Sequence, residues 1–526
     1  MTSTTKLRIV IVGGGIAGLA AAAVLCQKHD VTVYDREPAD APERGAGVGL
    51  GPNGSKMLKR AFQFDAERVR ATVCAGTRTW DKQGNLLREM TGVTEPFGSE
   101  WLLMHRQDLK AELLRLATGD AAKLGVSGPP AQVMYGVDVV EVDAERGLVV
   151  MGDGSEVEAD LVIGADGIHS VVRRAVIGGE ANLVSSGVSL YRFVYPLDDA
   201  RELLGGLPDA LEPQTGCFLN AMAANDELNR NVIFYPCRDF TLLNVVARVP
   251  DAMLNEESET SWNAEGNIRE MLDNFRDFAP WMLTIMRNVE DVRLYKVRDA
   301  DPLHTYIRGR AIVIGDAAHP MTPFQGQGAT QAIEDAEGLR LLLHDGVDSE
   351  NLWRSLRTWD SVRRPRASQV QQNSRHVTDA SAQSQLDRMR LNWTYDGIHS
   401  ALRNRRPCVP QLLARFTESP VEPGSQEKVP TKPSEVNNRG TIYAIGGITV
   451  VLAGFFAFLT GAPDRAAGVA DTTSRSGSTL LSGPLSGKEG GEKDLEAHTG
   501  RDPNRSTGLA GLKSDATDPN APKARN

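Results

Sequence analysis

A glycine-rich turn near the N-terminus constrains the fold of this chain more than any other feature. An apolar run at residues 7–12 (LRIVIV) is typical of a strand buried on both faces of a parallel sheet. A run rich in small residues at 16–28 is typical of a helix that packs closely on such a sheet. Gly13, Gly15 and Gly18 have the spacing G-x-G-x-x-G where the strand would turn into the helix. This arrangement predicts the opening of a Rossmann-type βαβ unit.

Each part of this unit has a role in binding a dinucleotide. Gly13 permits the tight turn, Gly15 lets the backbone approach a pyrophosphate, and Gly18 lets helix and strand pack closely. The N-terminus of the helix attracts phosphates. Asp35 ends the next predicted strand, residues 31–35, and would accept hydrogen bonds from the ribose hydroxyls of an adenosine. These residues predict a bound dinucleotide but do not separate FAD from NAD(P).

Composition excludes several other classes of protein. The 526 residues include 58 Lys and Arg against 68 Asp and Glu, a formal net charge of -10. Because the chain has no basic stripe, we do not expect nucleic acid as a partner.

The five cysteines include no C-x-x-C pair, and the His and carboxylate residues do not have the spacing of metal ligands. We therefore expect neither a disulfide framework nor a metal site. A signal peptide is the alternative for residues 9–26, but their glycine spacing favours the turn.

Two later motifs separate FAD from NAD(P). Residues 160–173 (DLVIGADGIHSVVR) contain Asp166, and residues 315–320 (GDAAHP) contain Asp316. With the glycine turn, these motifs make about 400 residues of the chain resemble the class A flavoprotein monooxygenases, the family of salicylate and 4-hydroxybenzoate hydroxylases, in a fungal-type form. The resemblance implies that Asp166 belongs to a motif linked to FAD and nicotinamide use. It also implies that Asp316 holds the ribityl and pyrophosphate region of FAD, although Asp316 alone would also fit a helix cap.

The resemblance extends to residues along the edge of the cofactor. Arg44, Gly47 and Val48 match the family segment that lies along the adenosine and the flavin, where small residues permit close approach of the backbone. Arg106 matches the family arginine that contacts FAD. The spacing of the leucines that follow places Arg106 at the start of a helix.

A second helix N-terminus is expected beside the flavin. The loop at 323–329 (PFQGQGA) leads into a helix that we predict to begin near Ala329. Backbone N–H groups at Gly328 and Ala329 would face the isoalloxazine and stabilise negative charge on the reduced flavin. His319, in the preceding motif, is expected to support the loop rather than to act as an acid or base.

The middle of the chain supplies two candidate catalytic residues. Tyr191 and Arg192 resemble the Tyr-Arg pair on a substrate-domain strand of the family, and Tyr235 with Pro236 resembles a strand end. In fungal relatives such an arginine and tyrosine hold a phenolate, which guanidinium stabilises through charge-assisted hydrogen bonds. Pairing with a carboxylate is the alternative for Arg192, and the polar stretch NDELNRN before Tyr235 puts that second match in doubt.

These observations predict an α/β fold in which a Rossmann-type FAD-binding domain is interleaved with a β-sheet substrate domain and followed by C-terminal helices. The predicted parts are a first FAD-binding segment (1–184), the substrate domain (185–300), a second FAD-binding segment with C-terminal helices (301–416), a linker (417–440), a transmembrane helix (441–462) and a disordered tail (463–526).

The transmembrane prediction rests on 22 consecutive residues without charge, close to the roughly 20 needed to cross a bilayer. A buried core helix is the alternative, but linker-like sequence on both sides leaves no domain to bury it. Lys428, Lys432 and Arg439 precede the segment and Arg465 and Arg475 follow it, which favours a single-pass membrane protein with a cytosolic catalytic domain.

The sequence therefore predicts an FAD-dependent monooxygenase that uses NAD(P)H and O2 to hydroxylate an aromatic or phenolic small molecule, in keeping with secondary metabolism. The membrane segment makes epoxidation of a lipophilic polyprenyl-type substrate an alternative. A non-catalytic lipid-binding protein with the same FAD fold is a third hypothesis, which the intact Asp316 motif and the glycine-rich loop disfavour.

Overall fold

The computed structural model describes residues 6–41, 46–92, 94–255, 263–375 and 390–405. Within these residues a mostly parallel sheet with helices around it lies beside a larger, mostly antiparallel sheet. The predicted α/β class with a Rossmann-type domain is thus confirmed. Strands and helices are numbered below in chain order.

The parallel sheet has six strands and forms the Rossmann-type part. In spatial order its strands are β18 (Ile307–Arg308), β19 (Ala311–Val313), β11 (Leu161–Gly164), β1 (Arg8–Val12), β2 (Asp30–Asp35) and β7 (Gln132–Tyr135). All neighbours pair in parallel except β18 and β19. The central strands are continuous apolar runs because helices cover both faces of the sheet.

Eleven helices are found in the described residues. They are α1 (Ile16–Leu25), α2 (Pro52–Ala61), α3 (Arg106–Thr118), α4 (Ala121–Leu124), α5 (Val171–Ile177), α6 (Leu197–Leu204), α7 (Ile268–Asn274), α8 (Pro280–Arg287), α9 (Gly328–Gly338), α10 (Leu352–Arg375) and α11 (Ile398–Arg405). Every residue of α1 is buried, and this helix packs against α3 and α9. Its four consecutive alanines allow the close packing that the sequence predicts.

A small three-stranded sheet differs in part from what the sequence predicts. The turn residues Asp153 and Gly154 predict a hairpin of residues 148–151 and 156–163. The strands β9 (Leu148–Met151) and β10 (Glu156–Glu158) do pair antiparallel, with β8 (Val139–Asp143) as their neighbour. Residues 161–163 instead belong to β11 of the parallel sheet, because the chain leaves the hairpin after Glu158 and Asp160 bonds back to Arg8 of β1.

The larger sheet has ten strands and extends beyond the expected range of 185–300. In spatial order they are β16 (Asn263–Glu265), β17 (Arg293–Ala300), β12 (Leu183–Pro196), β15 (Leu242–Pro250), β14 (Asn231–Cys237), β13 (Cys217–Ala223), β4 (Thr72–Asp81), β6 (Leu102–His105) and β3 (Gly47–Leu50), with β5 (Leu86–Thr91) paired to β4. Four of them, β3 to β6, come from the segment that we assigned to the first FAD-binding part. Strands from the first FAD-binding segment and strands from the substrate segment therefore share one sheet.

The two faces of this sheet have different chemistry. One face packs into an apolar core with residues of α6, α7 and α8, and it carries Tyr191, Phe234 and Ala247. Side chains alternate along a strand, so their neighbours Arg192, Tyr235 and Arg248 lie on the opposite face. The side chains of that face which line a cavity are Thr77, Leu190, Arg192, Leu219, Asn231, Ile233, Tyr235, Val246 and Arg248. We refer to this side as the cavity face.

Several predicted segments lie outside the described residues. These are the linker 417–440, the membrane span 441–462 and the tail 463–526. Across the described part of the chain, no helix combines the length and the apolar character needed to cross a membrane.

Candidate active site

A cavity of about 880 Å³ is lined by both the Rossmann-type part and the cavity face. It brings together most of the residues that the sequence predicts for the site. Those that line it are Gly13, Gly15, Asp35, Gly47, Val48, Arg106, Asp166, Arg192, Tyr235, Asp316, Gly328 and Ala329. Gly18 does not line it, and Arg44 lies outside the described residues.

The glycine turn leaves room for a ligand at only some of its positions. Gly13 has a φ of +102° and its N–H donates to the carbonyl of Tyr34, which closes the turn. A Cβ at Gly18 would lie 1.9 Å from the carbonyl oxygen of Gly13, so this glycine is required by packing alone. A Cβ at Gly15 would meet nothing within 4 Å and would project into open space.

The space beside Gly15 fits a pyrophosphate. Gly15 is the N-cap of α1 and makes no side-chain cap hydrogen bond, so the first N–H groups of the helix are not capped by a side chain. A helix N-terminus in this state is an anion-binding site. Asp35 lines the cavity at the end of β2, as the ribose contact of a dinucleotide requires. The geometry of these residues therefore fits the adenosine half of FAD.

The motifs around Asp166 and Asp316 are joined to each other. Asp166 accepts hydrogen bonds from the Ser170 hydroxyl and from the N–H groups of Val171 and Val172, at 2.7 and 3.2 Å. Arg173, which is buried, donates from Nη1 to the carbonyl oxygens of Asp316 and Ala317, at 3.4 and 3.2 Å. Asp166 therefore orders its own loop, and Arg173 fixes that loop against the Asp316 loop.

Asp316 lines the cavity and is influenced by three basic side chains. Its side chain is exposed where it lines the cavity, and partial desolvation by the surrounding protein raises the pKa of Asp316. The charges of His319, Arg106 and Arg173 oppose that rise. Desolvation in turn lowers the pKa of Arg106, which also experiences the charges of Asp316 and Arg192. Asp316 and Arg106 thus place opposite charges where the ribityl and phosphate groups of FAD would lie.

The helix expected near Ala329 begins at Gly328. Gln327 is its N-cap and makes no side-chain cap hydrogen bond, so the dipole of α9 points into the cavity without a competing side-chain acceptor. A Cβ at Gly328 would meet nothing within 4 Å, as at Gly15. Two open backbone positions at two helix N-termini fit a ligand with phosphates at one end and a charge-accepting ring at the other.

Gly47 has a second reason to be small, besides the approach of the backbone to the cofactor that the sequence predicts. A Cβ at this position would lie 2.6 Å from the hydroxyl of Tyr235 and 2.7 Å from Asn244. The N–H of Gly47 also donates to Oδ1 of Asn244, at 2.7 Å. Gly47 therefore lets β3 approach the cavity face, in addition to lining the cavity beside Val48.

Arg192 and Tyr235 reach the cavity from neighbouring parts of the same face. The guanidinium of Arg192 lies 5.3 Å from the ring centroid of Tyr295, and its buried Nε has no hydrogen-bond partner among the described residues. Burial raises the pKa of Tyr235, so its hydroxyl stays protonated at neutral pH and can donate a hydrogen bond. Tyr191, the other half of the predicted pair, lies in the apolar core on the opposite face. The stretch NDELNRN (225–231) covers most of the connection between β13 and β14 and the first residue of β14.

Three cysteines that are distant in sequence pack together with Tyr235. Cys74, Cys217 and Cys237 are buried in one small cluster with it. Burial raises the pKa of the Cys74 and Cys237 thiols to about 12 in both cases. These thiols are therefore protonated and unreactive at neutral pH.

A buried ionic network, which the sequence did not reveal, holds the Asp316 loop and α9 against α10. His319 contacts Asp335 at 2.6 Å, and Asp335 also accepts from the N–H of Gly315 and from Nε of Arg363, both at 2.9 Å. Arg363 donates to Glu334 at 2.6 Å, and Arg363, Glu334, Asp335 and His319 are fully buried. His319 thus has the supporting position that the sequence suggested.

Part of the cavity wall is formed by residues that none of the sequence motifs indicates. Trp393 lines the cavity beside Trp101, with ring centroids 5.5 Å apart, and Asn392 donates to the side chain of Gln325 at 2.7 Å. Arg248 lines the cavity face. The only sequence signal for Arg248 is the alternation in 242–249, which places Asn244 and Arg248 on one side of a largely apolar strand.

Two family models match the chain in the regions that build the cavity. Residues 275–374 match a family described as "FAD binding domain", and residues 7–192 match "Pyridine nucleotide-disulphide oxidoreductase". The first range contains the Asp316 loop and α9, and the second contains the glycine turn. Binding of FAD is therefore supported by the family models as well as by the geometry.

Characterised relatives cover most of the described chain. The salicylate hydroxylase of Pseudomonas putida is 32% identical over 387 residues, which is 70% of this chain and 84% of that protein. The FAD-dependent monooxygenase cfoG of Aspergillus candidus is 30% identical over 424 residues, 75% of this chain and 94% of that protein. A solved salicylate hydroxylase substrate complex superposes with a TM-score of 0.57 at 25% identity, covering 76% of this chain and 98% of the other. The chain therefore belongs to the class A FAD-dependent monooxygenases, the family that includes salicylate hydroxylase.

Proposed function

We propose that this enzyme hydroxylates a phenolic or similarly electron-rich aromatic small molecule, with FAD as cofactor, NAD(P)H as electron donor and O2 as the source of oxygen. One observation carries the proposal. The cavity face, with Arg192 and Tyr235, opens into the same cavity as the Gly15 turn and the Asp316 loop. A substrate held by the sheet would therefore lie beside a cofactor held by the two helix N-termini.

Residues of the Rossmann-type part would hold the cofactor. The N-terminus of α1 would bind the pyrophosphate, Asp35 the adenosine ribose, and Asp316 with Arg106 the ribityl and phosphate region. When bound, FAD takes electrons from NAD(P)H and activates O2, chemistry for which no side chain of the protein substitutes. The N-terminus of α9 would favour negative charge on the ring system through its dipole.

Residues of the cavity face would orient the substrate. Arg192 would hold a phenolate oxygen through charge-assisted hydrogen bonds, because its Nε is buried without a partner among the described residues. A phenolate directs electron density into its ring, which favours attack on an electrophilic oxygen. Tyr235, kept protonated by burial, would donate a hydrogen bond to the same or a neighbouring oxygen. Leu219, Ile233 and Val246 would exclude water from the ring.

The chemistry of the cavity face supports a phenolic substrate over the alternatives. A polyprenyl chain would leave the Arg192 and Arg248 guanidinium groups facing apolar carbon, which is costly for buried charges. A non-catalytic lipid-binding role would not require an intact Asp316 loop joined to the Asp166 loop through Arg173. The test is to measure NAD(P)H oxidation by the FAD-loaded enzyme across a panel of phenols and alkenes and to identify products. Stimulation coupled to a hydroxylated phenol is expected, and coupled oxygenation of alkenes alone would contradict the proposal.

Replacing Arg192 by methionine should weaken binding of a phenolic substrate by about 1.5–3 kcal/mol, about tenfold to a hundredfold, because a hydrogen bond to a charged group is lost. Binding is measured from the change that the substrate causes in the absorbance of bound FAD. The control is Arg293→Met on the adjacent strand β17, since Arg293 is paired with Asp291 at 2.9 Å and does not line the cavity. Equal effects of the two substitutions would contradict the role proposed for Arg192.

We also propose that residues 441–462 anchor the enzyme to a membrane with its catalytic part in the cytosol, where NAD(P)H is supplied. The support is the uncharged run of 22 residues and the distribution of basic residues around it. A chain truncated before Gly440 should move from the membrane to the soluble fraction and keep its FAD. Recovery of the full-length chain in the soluble fraction, or of the truncated chain in the membrane fraction, would contradict the anchor.

A further inference from the structure

The cavity face carries a second arginine that the proposed hydroxylation does not use. Arg248 lies on β15, opposite Leu190 of β12 and Asn231 of β14. Arg192 lies opposite Val246, two residues before Arg248. The two arginines are therefore diagonal neighbours on one face, at a spacing of about 7–8 Å. One substituted aromatic ring can reach both guanidinium groups.

The charge of Arg248 has no carboxylate partner among the described residues. Its Nη1 donates to the carbonyl oxygen of Asn229 at 3.3 Å, and its guanidinium lies 5.3 Å from the ring centroid of Phe324. Its Nε is buried and has no hydrogen-bond partner in the described part of the chain. Desolvation lowers the pKa of Arg248. A partly buried cation without a counter-ion is costly, and an anionic ligand would relieve that cost.

In the described part of the chain, the acidic residues that line the cavity do not belong to the cavity face. They are Asp35, Glu37, Asp138, Asp166 and Asp316, all from the segments around the parallel sheet. On the cavity face, Arg192 and Arg248 are accompanied by neutral polar side chains such as Thr77 and Asn231. This face therefore favours anions although the whole chain has a net charge of -10.

We propose that Arg248 is a specificity-determining residue that binds a second anionic oxygen group of the aromatic substrate while Arg192 holds the phenolate. This inference rests on the proposed function. The second group is a carboxylate or an acidic second phenol, since a guanidinium donates to either through charge-assisted hydrogen bonds. The ring of Phe324, which the Arg248 guanidinium contacts, belongs to the loop that leads into α9. A substrate bound by both arginines therefore lies against that loop.

The test compares acids with their esters in the full-length, FAD-loaded enzyme. The probes are salicylate, 4-hydroxybenzoate and 2,4-dihydroxybenzoate, each paired with its methyl ester, and resorcinol paired with phenol. Binding is measured from the perturbation of the absorbance of bound FAD, so no turnover is needed. The wild-type enzyme should prefer at least one acid over its ester, or resorcinol over phenol, by about tenfold to a hundredfold. The first preference identifies a carboxylate and the second an acidic phenol.

Variants of Arg248 separate recognition from a structural role. Arg248→Met should bind the two members of the preferred pair alike, because the loss falls on the acidic member alone. Arg248→Lys should keep part of the preference, since it retains the charge but not the planar fork of donors. FAD affinity and thermal unfolding should match those of the wild type in both variants. If Arg248→Met is unstable, Arg248→Lys and Arg248→Gln provide the same comparison.

Two outcomes would overturn the inference. In one, no pair is distinguished by the wild-type enzyme. In the other, Arg248→Met weakens both members of a pair equally. Either result leaves the proposed function intact if phenols are still hydroxylated. Conversely, discrimination that depends on Arg248 without hydroxylation of any phenol would retain the inference and refute the proposed function.

Discussion

Replacing Gly15 by alanine is expected to weaken FAD binding by about tenfold to a hundredfold, equivalent to about 1.4–2.8 kcal/mol. The added Cβ would project into the open space at the N-terminus of α1, where the pyrophosphate is expected to lie. The backbone of Gly15, at φ -78° and ψ -171°, suits alanine without strain. The stability of the apoprotein should therefore stay within about 0.5 kcal/mol of the wild type. Titration of apoprotein with FAD and chemical unfolding measure the two quantities.

Gly18→Ala is the matched control within the same turn. Its Cβ would lie 1.9 Å from the carbonyl oxygen of Gly13, so helix and strand must separate and the apoprotein itself should lose stability. The two substitutions add the same methyl group three residues apart, yet one should act on the ligand and the other on the fold. If Gly15→Ala bound FAD as tightly as the wild type, the pyrophosphate would not lie against this turn.

Replacing Arg363 by methionine should reduce the free energy of unfolding by about 3–5 kcal/mol, because it removes one basic partner from each of two buried carboxylates, Glu334 and Asp335. Arg363 donates to both Glu334 and Asp335, and all three side chains are fully buried. Burial alone would raise the pKa of Glu334, but the charges of Arg366 and Arg363 outweigh it and hold that pKa below its ordinary value. The pKa of Asp335 is lowered in the same way against burial, by His319 and Arg363. Urea unfolding followed by circular dichroism measures the loss.

Arg364→Met is the control for this experiment. Arg364 is the next residue on α10 and pairs with Asp360 at a partly exposed position, so its loss should cost less than about 1 kcal/mol. If both substitutions had equal effects, loss of helix or general positive charge would explain them, and the buried network would not matter.

The same network predicts the pH dependence of stability. A carboxylate whose pKa is depressed in the folded state stabilises the fold above its unfolded pKa, about 4, and this contribution is lost as the pH falls through the folded value. Without Arg363, one of the charges that lower the pKa values of Glu334 and Asp335 is lost, so the variant should lose less stability on acidification. The difference between wild type and Arg363→Met should therefore shrink as the pH is lowered below about 4.

Local patterns account for the parts of the fold and site that the sequence predicts well. Three elements are each specified by residues that lie close together in the sequence. They are the turn at Gly13, the helix that begins at Arg106 and the helix that begins at Gly328. The family resemblance adds Arg192 and Tyr235, which alternation along two strands places on the cavity face. For these residues, the pattern in the sequence is enough to predict the position in the structure.

Contacts between distant segments account for what the sequence does not predict. Arg363 and His319 meet at Asp335 only because α9 and α10 pack together behind the Asp316 loop. Strands β3 to β6 join the larger sheet through pairing of β4 with β13, which no local pattern indicates. Arg248 is an ordinary strand arginine in the sequence and becomes part of the site only once the register of β12 and β15 is known. Alternation along the strand predicts the face on which Arg248 lies, and only the tertiary structure shows that this face lines the cavity.

The most direct test of the proposed oxygenation uses the FAD-loaded enzyme with a phenol that stimulates NAD(P)H oxidation. The reaction is run under an atmosphere of ¹⁸O2, and the mass of the product is measured by mass spectrometry. We expect a hydroxylated phenol that contains one labelled oxygen atom for each NAD(P)H consumed in coupled turnover. A product without label, or oxidation that adds no oxygen, would contradict a monooxygenase in which Arg192 and Tyr235 orient the substrate beside the cofactor.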